Sequence, residues 1–193
     1  MDLKSRDTDS HLDYLGFFQE DFMVCDLGCG VGYIPNYTMK NKKKIQYLGI
    51  DVISNKINYC RNRFRQGNYR FKRLNLYSET YNPTGSMRAE FMKIPLPDGS
   101  VDSVICHSLF THLDNEEVAK RYISEILRIM KAGGKLWITF FTDPPNKEGG
   151  GTMRTVYKLS FIETLLAGFE EIHDRCGATT EYHDQLEISC VKR

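Results

Sequence analysis

Short, nearly continuous apolar runs recur along this chain, separated by stretches with helical spacing. Phe22–Leu27, Ile45–Asp51, Val101–Cys106 and Lys135–Phe141 are such runs. Strands apolar on both sides belong in a sheet covered on both faces, which points to parallel pairing. Tyr69–Leu76 alternates apolar and polar residues instead, so it predicts a strand with one exposed face, at or near the sheet edge. Phe169–Arg175 and Gln185–Val191 read as the last two strands. Gly177 and the polar residues after it join them, which fits antiparallel pairing.

Helical spacing fills the gaps. Tyr33–Lys42 can form a short helix, with Pro35 tolerable only near its first turn. Ser54–Gln66 is basic and amphipathic, with Ile57, Cys60 and Phe64 as its apolar stripe. A helix beginning at Asp114–Glu117 carries Val118, Tyr122, Ile126, Ile129 and Met130 on one side and stops at Lys131-Ala132-Gly133-Gly134. Ser160–Ala167 is a shorter helix closed by Gly168. Tyr77–Pro97 is a long irregular stretch, and Thr142–Arg154, with three successive glycines, is a lid candidate. Strands alternating with helices through residue 168 demand an α/β fold: a doubly wound, largely parallel sheet with helices on both faces.

Composition narrows the class further. With 193 residues, 41% hydrophobic and 26% charged, one globular domain spanning 1–193 is the simplest organisation, residues 1–21 forming an N-terminal lid or cap. The net charge of +1 gives no global pull toward nucleic acid or an anionic membrane. No apolar run approaches membrane-spanning length and no apolar signal core follows Met1, so a cytoplasmic location without a membrane partner is expected. The six cysteines form no Cys-x-x-Cys pair, so reduced structural thiols and no metal site are expected. Lys40–Lys44 reads either as a nucleic-acid patch or as cations at a helix C-terminus, and the second fits the helix ending there.

Chemistry concentrates after the first strand. Asp26-Leu27-Gly28-Cys29-Gly30-Val31-Gly32 is a strand entering a tight glycine turn, which lets the backbone approach a ligand. A dinucleotide turn would place its third glycine at Tyr33, and a pyrophosphate would not favour Asp26 two residues before the first glycine; an amino group would. Asp51 ends the second strand about twenty residues on, where a βαβ unit places a carboxylate on ribose hydroxyls. Capping of the next helix is its other reading.

The Asp-x-Gly-x-Gly-x-Gly run resembles the first motif of class I S-adenosylmethionine-dependent methyltransferases. Leu96-Pro97-Asp98-Gly99-Ser100-Val101-Asp102, Phe110-Thr111-His112-Leu113 and Lys131-Ala132-Gly133-Gly134-Lys135-Leu136 look like the centre of that family, with Ala132 and Val101 as mild departures. Tyr81-Asn82-Pro83 with Phe110-Thr111-His112 looks like its bacterial branch near glycan and small-molecule biosynthesis. The resemblance implies seven strands in the order 3-2-1-4-5-7-6, only strand 7 antiparallel, and S-adenosylmethionine as cofactor with S-adenosylhomocysteine as product. It implies that Asp26, Gly28, Cys29 and Gly30 hold the methionine portion, Asp51 the ribose, and that Val52 packs on the adenine. Glu90 or Asn75-Leu76 would meet the adenine amino group, and Cys106 and His107 would pass near the sulfonium. Gly32 would serve helix packing.

Methyl transfer from a sulfonium needs orientation and water exclusion more than proton transfer to the leaving group. An alcohol acceptor also benefits from a base near neutral pKa, and His107 and His112 are the candidates. His112 otherwise braces its loop. Tyr14, Phe18, Tyr33, Phe110, Phe141 and Tyr157 line either an acceptor pocket or the core. The expected partner is a small-molecule or glycan acceptor methylated on oxygen, with nucleic acid disfavoured and a homodimer able to complete the pocket. A non-catalytic S-adenosylmethionine-binding partner of another transferase is the alternative.

Overall fold

In a computed structural model, residues 7–142, 155–176 and 185–193 are described. The elements in chain order are α1 (Asp7–Tyr14), β1 (Met23–Leu27), α2 (Tyr33–Lys40), β2 (Gln46–Asp51), α3 (Ser54–Arg63), β3 (Tyr69–Arg73), β4 (Val101–Cys106), α4 (Glu116–Ile129), β5 (Met130–Thr142), β6 (Val156–Tyr157), α5 (Leu159–Leu165), β7 (Phe169–Cys176) and β8 (Gln185–Lys192). Short 3-10 turns stand at Ala89–Phe91 and Phe110–His112.

One sheet in the order β3-β2-β1-β4-β5-β8-β7 organises the chain, and β6 pairs with β5 beside that path. Among the described strands only β8 runs antiparallel to its neighbours. With the two-residue β6 set apart, this is the expected order 3-2-1-4-5-7-6. The alternating strand is the edge strand: Tyr69 and Phe71 of β3 are buried while Arg70 and Lys72 are exposed. Two apolar layers sandwich the sheet. Leu12 of α1, Ile34 of α2 and Ile57 of α3 pack on Val24, Tyr47 and Trp137. On the other face, Tyr122 and Ile126 of α4 and Ile162 of α5 pack on Cys25, Ile50 and Ile138.

Local boundaries differ from the periodicity in several elements. β5 begins at Met130 rather than Lys135, because Met130 already pairs with Val101 and a bulge takes up the glycines instead of a loop. β3 ends at Arg73, after which Leu76 pairs with Met87 across a loop. α2 and α3 stop two and three residues early, at Lys40 and Arg63; Lys42 then takes a left-handed φ of 55°. β6 was not expected, since two residues carry no periodicity. Residues 143–154 of the lid candidate, Gly177 and His183 lie outside the described residues.

The N-terminal segment covers the α2 side of the sheet. Leu12, Phe17 and Phe18 are buried, and Lys135 Nζ donates to the Leu15 carbonyl at 2.6 Å. Tyr14 is 87% exposed. Of the aromatics that could have lined a pocket, Phe18, Phe110, Phe141 and Tyr157 are buried in the core.

Candidate active site

The turn after β1 has two sides. Gly28, Gly30 and Gly32 have φ of 76°, 56° and 84°, a region that glycine enters without strain. A Cβ on Gly32 would stand 2.4 Å from Phe64 Cε2, so this glycine lets α3 pack under the turn. A Cβ on Gly30 would meet nothing nearer than the Gly28 carbonyl oxygen at 4.0 Å, so its outer side is open.

β2 holds the turn in place. The N–H groups of Gly28 and Cys29 donate to the Ile50 carbonyl at 2.8 and 3.0 Å. Gly30 N–H donates to Asp51 Oδ2 at 2.9 Å, and Ile53 N–H to Oδ1 at 2.8 Å. Asp51 thus braces the approach to α3 through Ile53 N–H, without capping the helix itself, and lines a cleft of about 230 Å³ with Gly28, Val52 and Lys56. Asp26 lies beneath the turn instead. It is 3% exposed and accepts from the Tyr47 hydroxyl at 2.7 Å.

The two thiols among the expected contacts are also buried. A hydrogen bond with Cys60, then burial, hold the Cys29 thiol well above its usual pKa. Burial does the same to Cys106. Neither side chain lines the cleft. Among the described residues no cluster of His, Cys, Asp and Glu could hold a metal.

The opposite wall comes from the end of β4. His107 stacks on the buried Trp137, ring centroids 5.2 Å apart, and its Nδ1 lies 3.2 Å from Ser108 Oγ. Ser108 takes a left-handed φ of 54°, fixed by its N–H donating to Thr139 Oγ1 at 2.8 Å and by Gln185 at 3.2 Å from its hydroxyl. Strained non-glycine backbone clusters at functional sites, and Ser108 lines this cleft. His112 Nδ1 lies 3.0 Å from the Tyr81 hydroxyl, and both rings line the cleft.

The adenine candidates separate. Asn75 Nδ2 donates to Ser86 Oγ at 2.9 Å, and Asn75 Oδ1 accepts from Asn82 at 3.2 Å. Glu90 pairs with Arg88 at 2.9 Å, and that pair holds its carboxyl below the usual range. Neither side chain lines the cleft, whereas Leu76 lines a smaller recess that shares Val52, Tyr81 and Tyr122 with it. Lys56, Ser108 and Tyr122 line the cleft without having been singled out from the sequence. Tyr122 could have been found, since it faces the sheet on the apolar stripe of α4 just below the strand ends.

These residues fit S-adenosylmethionine. Gly28 lines the cleft, where a Cβ would stand 3.5 Å from Leu109 and take up space, Asp51 offers carboxylate oxygens, and Val52 and Leu109 offer apolar surface. Comparison with known proteins agrees. A methyltransferase domain family matches residues 25–138, more than half of the chain. An uncharacterized methyltransferase-like protein of Schizosaccharomyces pombe is 31% identical over 125 residues, 64% of this chain and 40% of its own length. The fatty-acid O-methyltransferase of Mycolicibacterium smegmatis is 23% identical over 114 residues, 58% of this chain and 34% of its own. The matches thus span less than half the length of these curated relatives. A SAM-dependent methyltransferase of Methanosarcina mazei shares the fold at a TM-score of 0.69 and 17% identity, over 100% of this chain and 99% of that one. The glycine turn, the strand order and the matched stretch converge, and the chain belongs to the methyltransferase domain family, whose cofactor is S-adenosylmethionine.

Proposed function

We propose that the chain methylates an oxygen of a small-molecule or glycan acceptor in the cytoplasm, in the manner of the bacterial branch it resembles. The observation that carries this reading is His107, which stands in the same cleft as Gly28 and Asp51. S-adenosylmethionine supplies an electrophilic methyl group whose departure needs no proton. The backbone at Gly28, Cys29 and Gly30 cradles the methionine portion above Asp26, Asp51 accepts from the ribose hydroxyls, and Val52, Leu76 and Leu109 pack on the adenine. Asn75 and Glu90 act on the adenine through the loop they hold, and Cys106 by filling the floor under His107.

His107 accepts the proton of an acceptor hydroxyl. Its ring plane is set by Trp137, and Ser108 sits at its Nδ1. His112, bonded to Tyr81, closes the adenine side of the cleft. The fatty-acid O-methyltransferase relative supports oxygen as the acceptor atom. A second copy of the chain could add contacts to the acceptor.

Two measurements test the reading. Titration calorimetry of the chain with S-adenosylmethionine and S-adenosylhomocysteine should show binding. Transfer of a labelled methyl group to hydroxyl acceptors should fall by about a hundredfold or more in His107→Ala while cofactor affinity holds. Transfer that ignores His107→Ala would remove the base, and methyl groups found on nitrogen or sulfur would remove the oxygen acceptor.

A further inference from the structure

The net charge of +1 conceals a segregated surface. Residues 52–78 hold seven of the chain's 26 cations and none of its 25 carboxylates. The fold gathers four of them, Arg61, Arg65, Arg70 and Lys72, around a groove of about 770 Å³ at the free edge of β3. Among the described residues none of these four meets a carboxylate at ion-pair distance, whereas Lys44, Lys120, Arg128 and Lys131 each do.

An apolar strip adjoins them. Met87 pairs with Leu76 just beyond β3, and Pro95 and Leu96 share the groove with Arg70 and Lys72, so segment 87–96 runs beside the edge strand. Phe91 on it is 71% exposed, Met87 43%, and the adjoining Tyr77 45%. Lys93 is exposed among them, and Glu90, the carboxylate of the segment, is held by Arg88. Tyr77 also lines the recess contiguous with the cofactor cleft.

We propose that this face docks the protein on an anionic lipid bilayer, with Arg65, Arg70 and Lys72 meeting headgroups and Phe91, Met87 and Tyr77 entering the interface. Exposed apolar side chains beside unpaired cations are what interfacial binding uses. Other occupants use this face less well. An added β-strand would need the outward carbonyl of Phe71, which already accepts from Arg61 Nε and Nη2 at 3.1 and 2.9 Å. Single-stranded nucleic acid would want stacking rings within the basic groove itself, where Phe64, Tyr69 and Phe71 are buried; the exposed Tyr77 and Phe91 stand outside it, on the adjoining strip with Met87. Docking through Tyr77 brings the recess it lines beside the membrane and does not depend on the acceptor.

Vesicle flotation tests this with the full chain. The chain should float with vesicles of phosphatidylcholine plus phosphatidylglycerol, not with phosphatidylcholine alone, and raised salt should release it. Arg65→Ala, Arg70→Ala and Lys72→Ala combined should lower partition by about a hundredfold, taking about fivefold per cation. Phe91→Ser should weaken partition in anionic vesicles as well. Calorimetric binding of S-adenosylhomocysteine by each variant shows that it is folded and keeps this test separate from the methyl-transfer reading. Absence of flotation, indifference to either variant, or binding confined to a single-stranded oligoribonucleotide would overturn the proposal.

Discussion

Asp26 and Asp51 are both acids at the ends of apolar strands, yet the fold puts them on opposite sides of the glycine turn. The register pairs Asp26 with Gly49, so Asp51 stands two residues further along, about 7 Å nearer the cleft. That step separates a carboxylate under the turn, bonded by Tyr47, from one that holds the turn from the cleft side through Gly30. Gly32 and Gly30 divide in the same way, one over Phe64 and the other open. The underside packs against Phe64 and Tyr47 and so bears on whether the turn forms; the open side is free of such packing and is where changes are expected to act on binding.

The largest effect expected lies away from the turn and serves as a reference for stability alone. Glu125 on α4 is 3% exposed, is gripped by Arg128 Nε and Nη2 at 3.0 and 2.8 Å, and accepts from Ile94 N–H at 2.8 Å. Glu125→Gln should cost about 3 kcal/mol in denaturant unfolding, as for a broken buried pair, and leave cofactor affinity per folded molecule unchanged. Burial pushes this carboxyl up, but Arg128 and Ile94 N–H outweigh it and hold it below its unfolded value. Its stabilising contribution is thus present above an unfolded pKa of about 4.3 and is lost as pH falls through the lower folded value. The wild-type melting temperature should drop across that acid window, and Glu125→Gln should flatten the drop.

Gly32→Ala comes next, with a left-handed alanine and a Cβ driven into Phe64 together costing about 3 kcal/mol or slightly less. Gly30→Ala carries only the first of these, about 1 kcal/mol, and should act instead on cofactor binding. Equal loss of stability in the two would erase the distinction between the sides of the turn. Asp51→Ala should then weaken S-adenosylmethionine by about a hundredfold, near 2.7 kcal/mol, since charge-assisted hydrogen bonds are lost. Calorimetry reads it directly, and an unchanged affinity would put the ribose elsewhere.

What could be read beforehand follows from what spacing encodes. The largely parallel α/β architecture and the edge position of β3 follow from runs and alternation, which act within a few residues, whereas the strand order is what the family resemblance implies. The side of the turn on which Asp26 ends up depends on Tyr47, 21 residues away, and no local pattern carries that pairing. Ser108 gave no signal either, because its left-handed backbone is imposed by Thr139 and Gln185 from other strands. Tyr122 was legible as a core position and reaches the cleft for the same reason, standing on the sheet-facing stripe near the strand ends. The charge of +1 hid the basic face because a sum carries no positions.

The smallest effects probe the Asp26–Tyr47 hydrogen bond from each of its two partners. Asp26→Ala leaves the buried Tyr47 hydroxyl without this acceptor, which should cost about 2 kcal/mol of stability. Tyr47→Phe removes the donor and keeps the carboxylate, and should cost about 1 kcal/mol. The two variants diverge on the cofactor. If Asp26 supports the methionine portion only by holding the turn, both should shift affinity less than Asp51→Ala does, in proportion to their loss of stability. If the carboxylate itself meets the amino group, Asp26→Ala should weaken binding strongly while Tyr47→Phe, which withdraws a competing donor, should tighten it. Calorimetry on the pair thus assigns Asp26 to one side of the turn or the other by the sign of the Tyr47→Phe effect, even where each change in stability is modest.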